Sequence, residues 1–82
     1  MNEGKMLVAL GAAIRRSREE KGLSQEGFAD AIGMHRAYYG LIERGGKNLT
    51  LGTLIRVCDG LGALPSQILR DAELKLPKRP KG

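Results

Sequence analysis

Glycines cut this chain into apolar stripes too short for anything but compact helices. Gly22, Gly33, the Gly45-Gly46 pair and Gly62 each follow a run in which apolar residues recur every three or four positions, the period of an amphipathic helix. A stripe of that period, closed by a residue that accepts left-handed backbone geometry cheaply, predicts a helix with a defined end rather than a strand.

Read this way, the sequence predicts five helices. Leu7, Leu10 and Ile14, with Met6 and Ala13 beside them, place the first at about Lys5 to Lys21. Ser24 is positioned as the N-cap of a second, short helix carrying Gln25, Phe28, Ala29 and Ile32 and closed by Gly33. Only Met34 and His35 intervene before the third, about Arg36 to Arg44, whose inner face is marked by Tyr39 and Ile42. Thr50 caps a fourth with an expected inner stripe of Leu51, Leu54, Ile55, Cys58 and Leu61. Pro65 suits the first turn of a fifth carrying Ile68, Leu69 and Ala72, and Pro77 and Pro80 stop it from extending. The division expected is a helical domain over residues 1–74 and a flexible basic tail over 75–82.

Eighty-two residues make one domain, and a chain this short buries only about 60% of its unfolded surface. Ile68, Leu69 and Ala72, at the end of so small a domain, are therefore expected to pack against a second copy and form a homodimer. The single cysteine cannot form an internal disulfide, and one Cys with one His cannot assemble a zinc site. On its apolar stripe Cys58 reads as a core residue. No metal or cofactor is expected. With no secretory leader and no apolar run near the roughly 20 residues that cross a bilayer, the expected location is the cytoplasm, with no membrane partner.

The net charge of +5 is placed rather than spread. Lys75, Lys78, Arg79 and Lys81 give the tail +4, so the body is nearly neutral. Within it, residues 35–56 set Arg36, Arg44, Lys47 and Arg56 against Glu43 alone, between two segments of net negative charge. A basic middle flanked by acidic segments is the charge layout of a nucleic-acid-facing surface, although a solvated helix face produces it too.

The run from Gln25 to Arg44 has the layout of a helix-turn-helix. Ala29 is small where two helices approach closest, Gly33 makes the turn, and Ile32, Met34, Tyr39 and Ile42 fill the wedge between them. Through GLSQEGFADAIG, LIERG and NLTLGTLIRVCDGLG, in that order over about residues 5–70, the sequence resembles the phage-repressor and Cro-like family, also called the Xre family. Within that family HRAYYGLIERGGKNLTL looks most like the controller proteins of restriction-modification systems. The resemblance implies an all-α, five-helix, lambda-repressor-like DNA-binding domain that regulates transcription from double-stranded DNA.

Position by position, the resemblance implies that Gln25 and the start of its helix meet a phosphate. Arg36, at the front of the recognition helix, is the first choice for reading a base, because its guanidinium can donate two hydrogen bonds to guanine O6 and N7. Ala37 and Leu41 stand where relatives carry polar base readers and offer apolar contact to a thymine methyl. Tyr38, Arg44, Lys47, Asn48, Thr50 and Thr53 match backbone-anchoring positions. Plainer roles stay open beside these: Thr50 as a cap, Tyr38 as half core, Lys47 as a solvated turn residue. His35 is expected at the N-cap of the recognition helix, with a phosphate contact as the alternative. Arg18 and Glu43 are expected to form a structural ion pair that seats the recognition helix against the first. Gly27 and Gly40 lie inside short helices, each costing about 0.8–1 kcal/mol relative to Ala.

An enzyme is excluded by inventory: there is no nucleophile–base pair, no paired carboxylates with a supporting signature and no phosphate-binding glycine loop. The competing class is an antitoxin-type interaction module that also represses its own promoter, but no long partner-binding arm is present. RNA binding is disfavoured because only Phe28, Tyr38 and Tyr39 are aromatic.

Overall fold

The computed structural model describes residues 2–76, which form five α-helices and, among the described residues, no strand. These are α1 (Glu3–Glu20), α2 (Gln25–Ala31), α3 (Arg36–Arg44), α4 (Leu51–Leu61) and α5 (Pro65–Leu74). The all-α architecture expected from the glycine-bounded stripes is the one observed. Of the basic tail, the segment 77–82 lies outside the described residues.

Helix ends follow local chemistry. Asn2 Oδ1 accepts from the Lys5 N–H at 3.0 Å, which starts α1 two residues earlier than periodicity alone predicts. Ser24 and Thr50 cap α2 and α4 by accepting from Gly27 N and Thr53 N at 2.9 and 3.1 Å. In α5 the Gln67 side chain reaches back to the Leu64 N–H at 2.9 Å.

α1 is the central helix and packs mainly against α5 and α3, while α2 packs against α3. Ile14, Phe28, Tyr39, Ile42, Val57, Cys58 and Leu61 are almost wholly enclosed. The Phe28 and Tyr39 rings meet at 5.3 Å with a 56° tilt, an arrangement that aromatic quadrupoles favour, and so lock α2 to α3. Burial pushes the Cys58 thiol above its ordinary range, in keeping with a core role. α1 can approach α3 closely because Gly11 has no side chain: a Cβ there would stand 2.5 Å from the Glu43 carbonyl oxygen. Gly45, at the other side of the same contact, would bring a Cβ to 2.5 Å from Val8 Cα.

Two expectations about packing need correction. Leu51 and Ile55 are not on the inner stripe of α4; they are 69% and 42% exposed. Successive helical residues are about 100° apart, so Ile55 stands on the flank of a face defined by Leu54, Cys58 and Leu61, whereas Val57 lies about 60° from Leu54 and is buried. Leu51 is the first residue of α4 and lies outside the core. The fifth helix differs as well. Ile68 and Ala72 are 2% and 0% exposed within a single subunit, because α1 and α4 already cover them, and so they offer no surface to a second copy. Only Leu69 of the expected trio remains half-buried.

Candidate nucleic-acid interface

The turn between α2 and α3 is held at several points. Met34 N donates to Ala29 O at 2.8 Å, Gly33 takes φ of 66°, and Met34 itself is buried beneath the corner. A further restraint comes from α4: Arg56 donates from Nε to Ile32 O and from Nη2 to Gly33 O, both at 2.8 Å. These carbonyls lie at the C-terminal end of α2, where backbone acceptors lack helical partners and negative partial charge collects. Arg56→Ala is expected to lower stability by about 1 kcal/mol, seen as a fall in melting temperature of about 4–8 °C. An unchanged melting temperature would mean that the clamp contributes nothing.

Arg18 and Glu43 meet beneath α3. Glu43 Oε2 accepts from Arg18 Nε at 2.6 Å and from the Tyr39 hydroxyl, and Oε1 accepts from Arg18 Nη2 and Gln25 Nε2, both at 3.0 Å. Arg18 Nη1 also donates to Leu23 O at 2.7 Å. Both side chains of the pair are buried, 8% and 2% exposed. Burial pushes the Glu43 carboxyl upward, but the hydrogen bonds from Arg18, Tyr39 and Gln25 outweigh it and hold the group below the usual carboxylate range. The Arg18 guanidinium is correspondingly raised by its hydrogen bond to Glu43, and burial raises the Tyr39 hydroxyl. One network thus joins α1, α2 and α3 and fixes how α3 is presented.

On the outer side of α3, Gln25, Glu26, Arg36, Ala37, Gly40, Leu41 and Arg44 line an open groove. Ala37 is exposed and Leu41 half-buried. A Cβ on Gly40 would lie 3.2 Å from Arg44 Nη1, the far end of a flexible exposed side chain, and in ordinary contact with Gln25 Oε1 at 3.5 Å, so both side chains lie across this glycine without requiring it. His35 caps α3 weakly, with Nδ1 accepting from Ala37 N at 3.3 Å. Tyr38 is half-buried against the core, and Lys47 Nζ sits 5.9 Å from its ring centroid, within cation–π reach. Lys47, Asn48 and Arg44 are exposed, while Thr50 uses its hydroxyl in the α4 cap and donates to Thr53 Oγ1 at 2.9 Å.

Two side chains are committed in ways the sequence does not announce. The Gln25 amide nitrogen, expected to face a phosphate, is turned inward to Glu43. Arg36, at the first position of α3, is ion-paired with Glu26 at 2.8 Å and Asp30 at 2.7 Å, and its hydrogen bond to Asp30 holds that carboxyl below the ordinary value. Pattern reading does not find Arg56, Glu26 or Asp30. The one signal for the last two is an acidic pair at four-residue spacing on the helix preceding an arginine.

Among the described residues there is no group of three or more His, Cys, Asp or Glu side chains that could hold a metal, and no helix long and apolar enough to cross a membrane. Comparison with known proteins is decisive about kinship. The helix-turn-helix domain family matches residues 9–72. Control protein C.MunI of Mycoplasma sp is 39% identical over 67 residues, covering 80% of this chain and 90% of its own length. Among solved structures, the clp gene regulator ClgR of C. glutamicum superposes with a TM-score of 0.84 at 33% identity, covering 88% of this chain and 92% of that one. The restriction-modification controller C.AhdI of Aeromonas hydrophila superposes with a TM-score of 0.72 at 37% identity, covering 76% and 94%. These relatives are regulators and not enzymes. The chain belongs to the helix-turn-helix domain family and is a DNA-binding transcriptional regulator, similar to restriction-modification controller proteins.

Proposed function

We propose that the protein binds a near-palindromic operator as a homodimer, with α3 of each subunit in the major groove and Arg36 reading a guanine. The observation that carries this reading is the two-sidedness of α3. Tyr39, Ile42 and Glu43 are buried and tied into the Arg18 network, whereas Arg36, Ala37 and Arg44 are exposed along the opposite groove. A helix held rigidly by one face and free on the other is what major-groove insertion requires. Arg44, Lys47 and Asn48 would anchor the phosphate backbone beside it, joined by the backbone N–H groups at the start of α2. The kinship with the control protein C.MunI and the restriction-modification controller C.AhdI supports a role as a controller protein of that kind.

The partner surface falls to the apolar side chains that α4 and α5 leave exposed, with Ile55, Leu64 and Leu74 at 42%, 62% and 72%, and to half-buried Leu69. Recognition helices about 34 Å apart would place the half-sites about one helical turn apart. Analytical sedimentation at micromolar concentration should give a dimer, and footprinting on a duplex selected from a randomised pool should show two half-sites at that spacing. A strict monomer, both free and on DNA, would refute the dimeric reading.

A further inference from the structure

The free-state geometry of Arg36 assigns different jobs to the two carboxylates that hold it. Asp30 accepts from Nε at 3.1 Å and from Nη2 at 2.7 Å, so its two oxygens cover the side edge of the guanidinium. Glu26 takes Nη1 alone, at 2.8 Å. A guanidinium has five N–H donors, and the Asp30 contact leaves the end-on pair, one N–H from each terminal nitrogen, free to donate elsewhere. That pair is the one that matches O6 and N7 of guanine. Glu26 competes for one of those two nitrogens.

We propose that Asp30 is a positioning residue that buttresses Arg36 for base reading, and that Glu26 is a competitor that guanine must displace; this rests on Arg36 being the base reader. Buttressing reduces the side-chain freedom given up on binding, because the guanidinium is already held by one edge in the orientation it needs. Glu26 acts in the opposite sense. It is 68% exposed, in the first turn of α2, and its charge opposes an approaching phosphate. DNA with guanine in register replaces the Glu26 ion pair with a bidentate hydrogen bond, whereas other DNA breaks the ion pair and supplies no replacement. Discrimination then arises partly from a repulsive element and not only from attraction.

Simple electrostatics predicts that neutralising either carboxylate tightens binding to all DNA alike. The proposal predicts opposite signs. The probes are a duplex enriched by the wild-type protein from a randomised pool and a scrambled duplex of the same composition. Asp30→Asn should weaken binding to the selected duplex about tenfold, the order of one charge-assisted hydrogen bond, and leave the scrambled duplex unchanged or slightly tighter. Glu26→Gln should tighten both, the scrambled duplex more, so that the selected-to-scrambled ratio falls. In an Arg36→Ala background neither change should move that ratio. Both carboxylates are exposed, so circular dichroism should show unaltered folding. If Asp30→Asn tightens the selected duplex as Glu26→Gln does, the buttress is refuted. If Arg36→Ala itself leaves the ratio unchanged, Arg36 is not the base reader, and the reading and the proposal fall together.

Discussion

Glu43→Ala is expected to lower the unfolding free energy by about 3–5 kcal/mol, the usual effect of removing one member of a buried ion pair. The loss is large because four donors converge on this carboxylate, and truncation leaves the buried Arg18 guanidinium, the Tyr39 hydroxyl and the Gln25 amide without their acceptor. A domain of this length is stable by only about 4–12 kcal/mol, so the variant should be near the edge of folding. Glu43→Gln separates charge from shape. The Glu43 carboxyl titrates below its ordinary value of 4.5, so its contribution is complete above that value and is lost as the pH falls through the folded pKa. Denaturant titrations from neutral pH downward should show wild-type stability declining in that acidic window, with a shallower decline in Glu43→Gln. An Ala variant that melts like wild type but loses DNA affinity would move Glu43 from the scaffold to the interface.

Gly11→Ala is the second large effect, and its sign runs against helix propensity. In an exposed helix the change would be favourable by about 0.8–1 kcal/mol. Here the new Cβ would lie 2.5 Å from the Glu43 carbonyl oxygen and 2.8 Å from its carbonyl carbon, with the Ile42 carbonyl oxygen pressed against it too. These are backbone atoms with no rotamer to turn away, so α1 and α3 must separate. Overpacking of this kind costs about 3 kcal/mol, and it would also disturb the Arg18–Glu43 geometry next to it. Equilibrium unfolding should show that loss; a variant as stable as wild type would mean that the two helices separate freely.

Helix ends are legible in the sequence because they are local events: a capping side chain or a glycine closing a stripe identifies itself within a few residues. The Arg18–Glu43 pairing is accessible only through the family resemblance, since 25 residues separate the partners. Covering is harder to read. Ile68 and Ala72 have the spacing of an apolar face, but spacing does not say whether α1 of the same subunit or a second copy lies over it. Leu51 and Ile55 fit a stripe by spacing, yet the centre of the buried face is set by Val57 and its neighbours. Gly11 attracts no attention as an interior helix glycine, because its reason lies on another helix. Arg56 escapes for a related cause: it binds backbone carbonyls, which any residue type supplies. The Glu26–Arg36 and Asp30–Arg36 pairs cross the turn, where neither helical period applies.

The central claim is that α3 reads bases through Arg36 while Arg44 holds the backbone, and affinity measured against salt for two variants on two DNAs tests it most directly. Arg36→Ala should cost about 1–3 kcal/mol on the selected duplex and leave scrambled DNA nearly unaffected, because it removes a bidentate hydrogen bond to a base. Arg44→Ala should weaken both duplexes similarly and reduce the slope of log affinity against log salt by about 0.9 for each phosphate that is no longer neutralised. Equal losses of affinity for both variants on both duplexes, with equal changes of slope, would contradict the account and leave Arg36 as one more phosphate ligand.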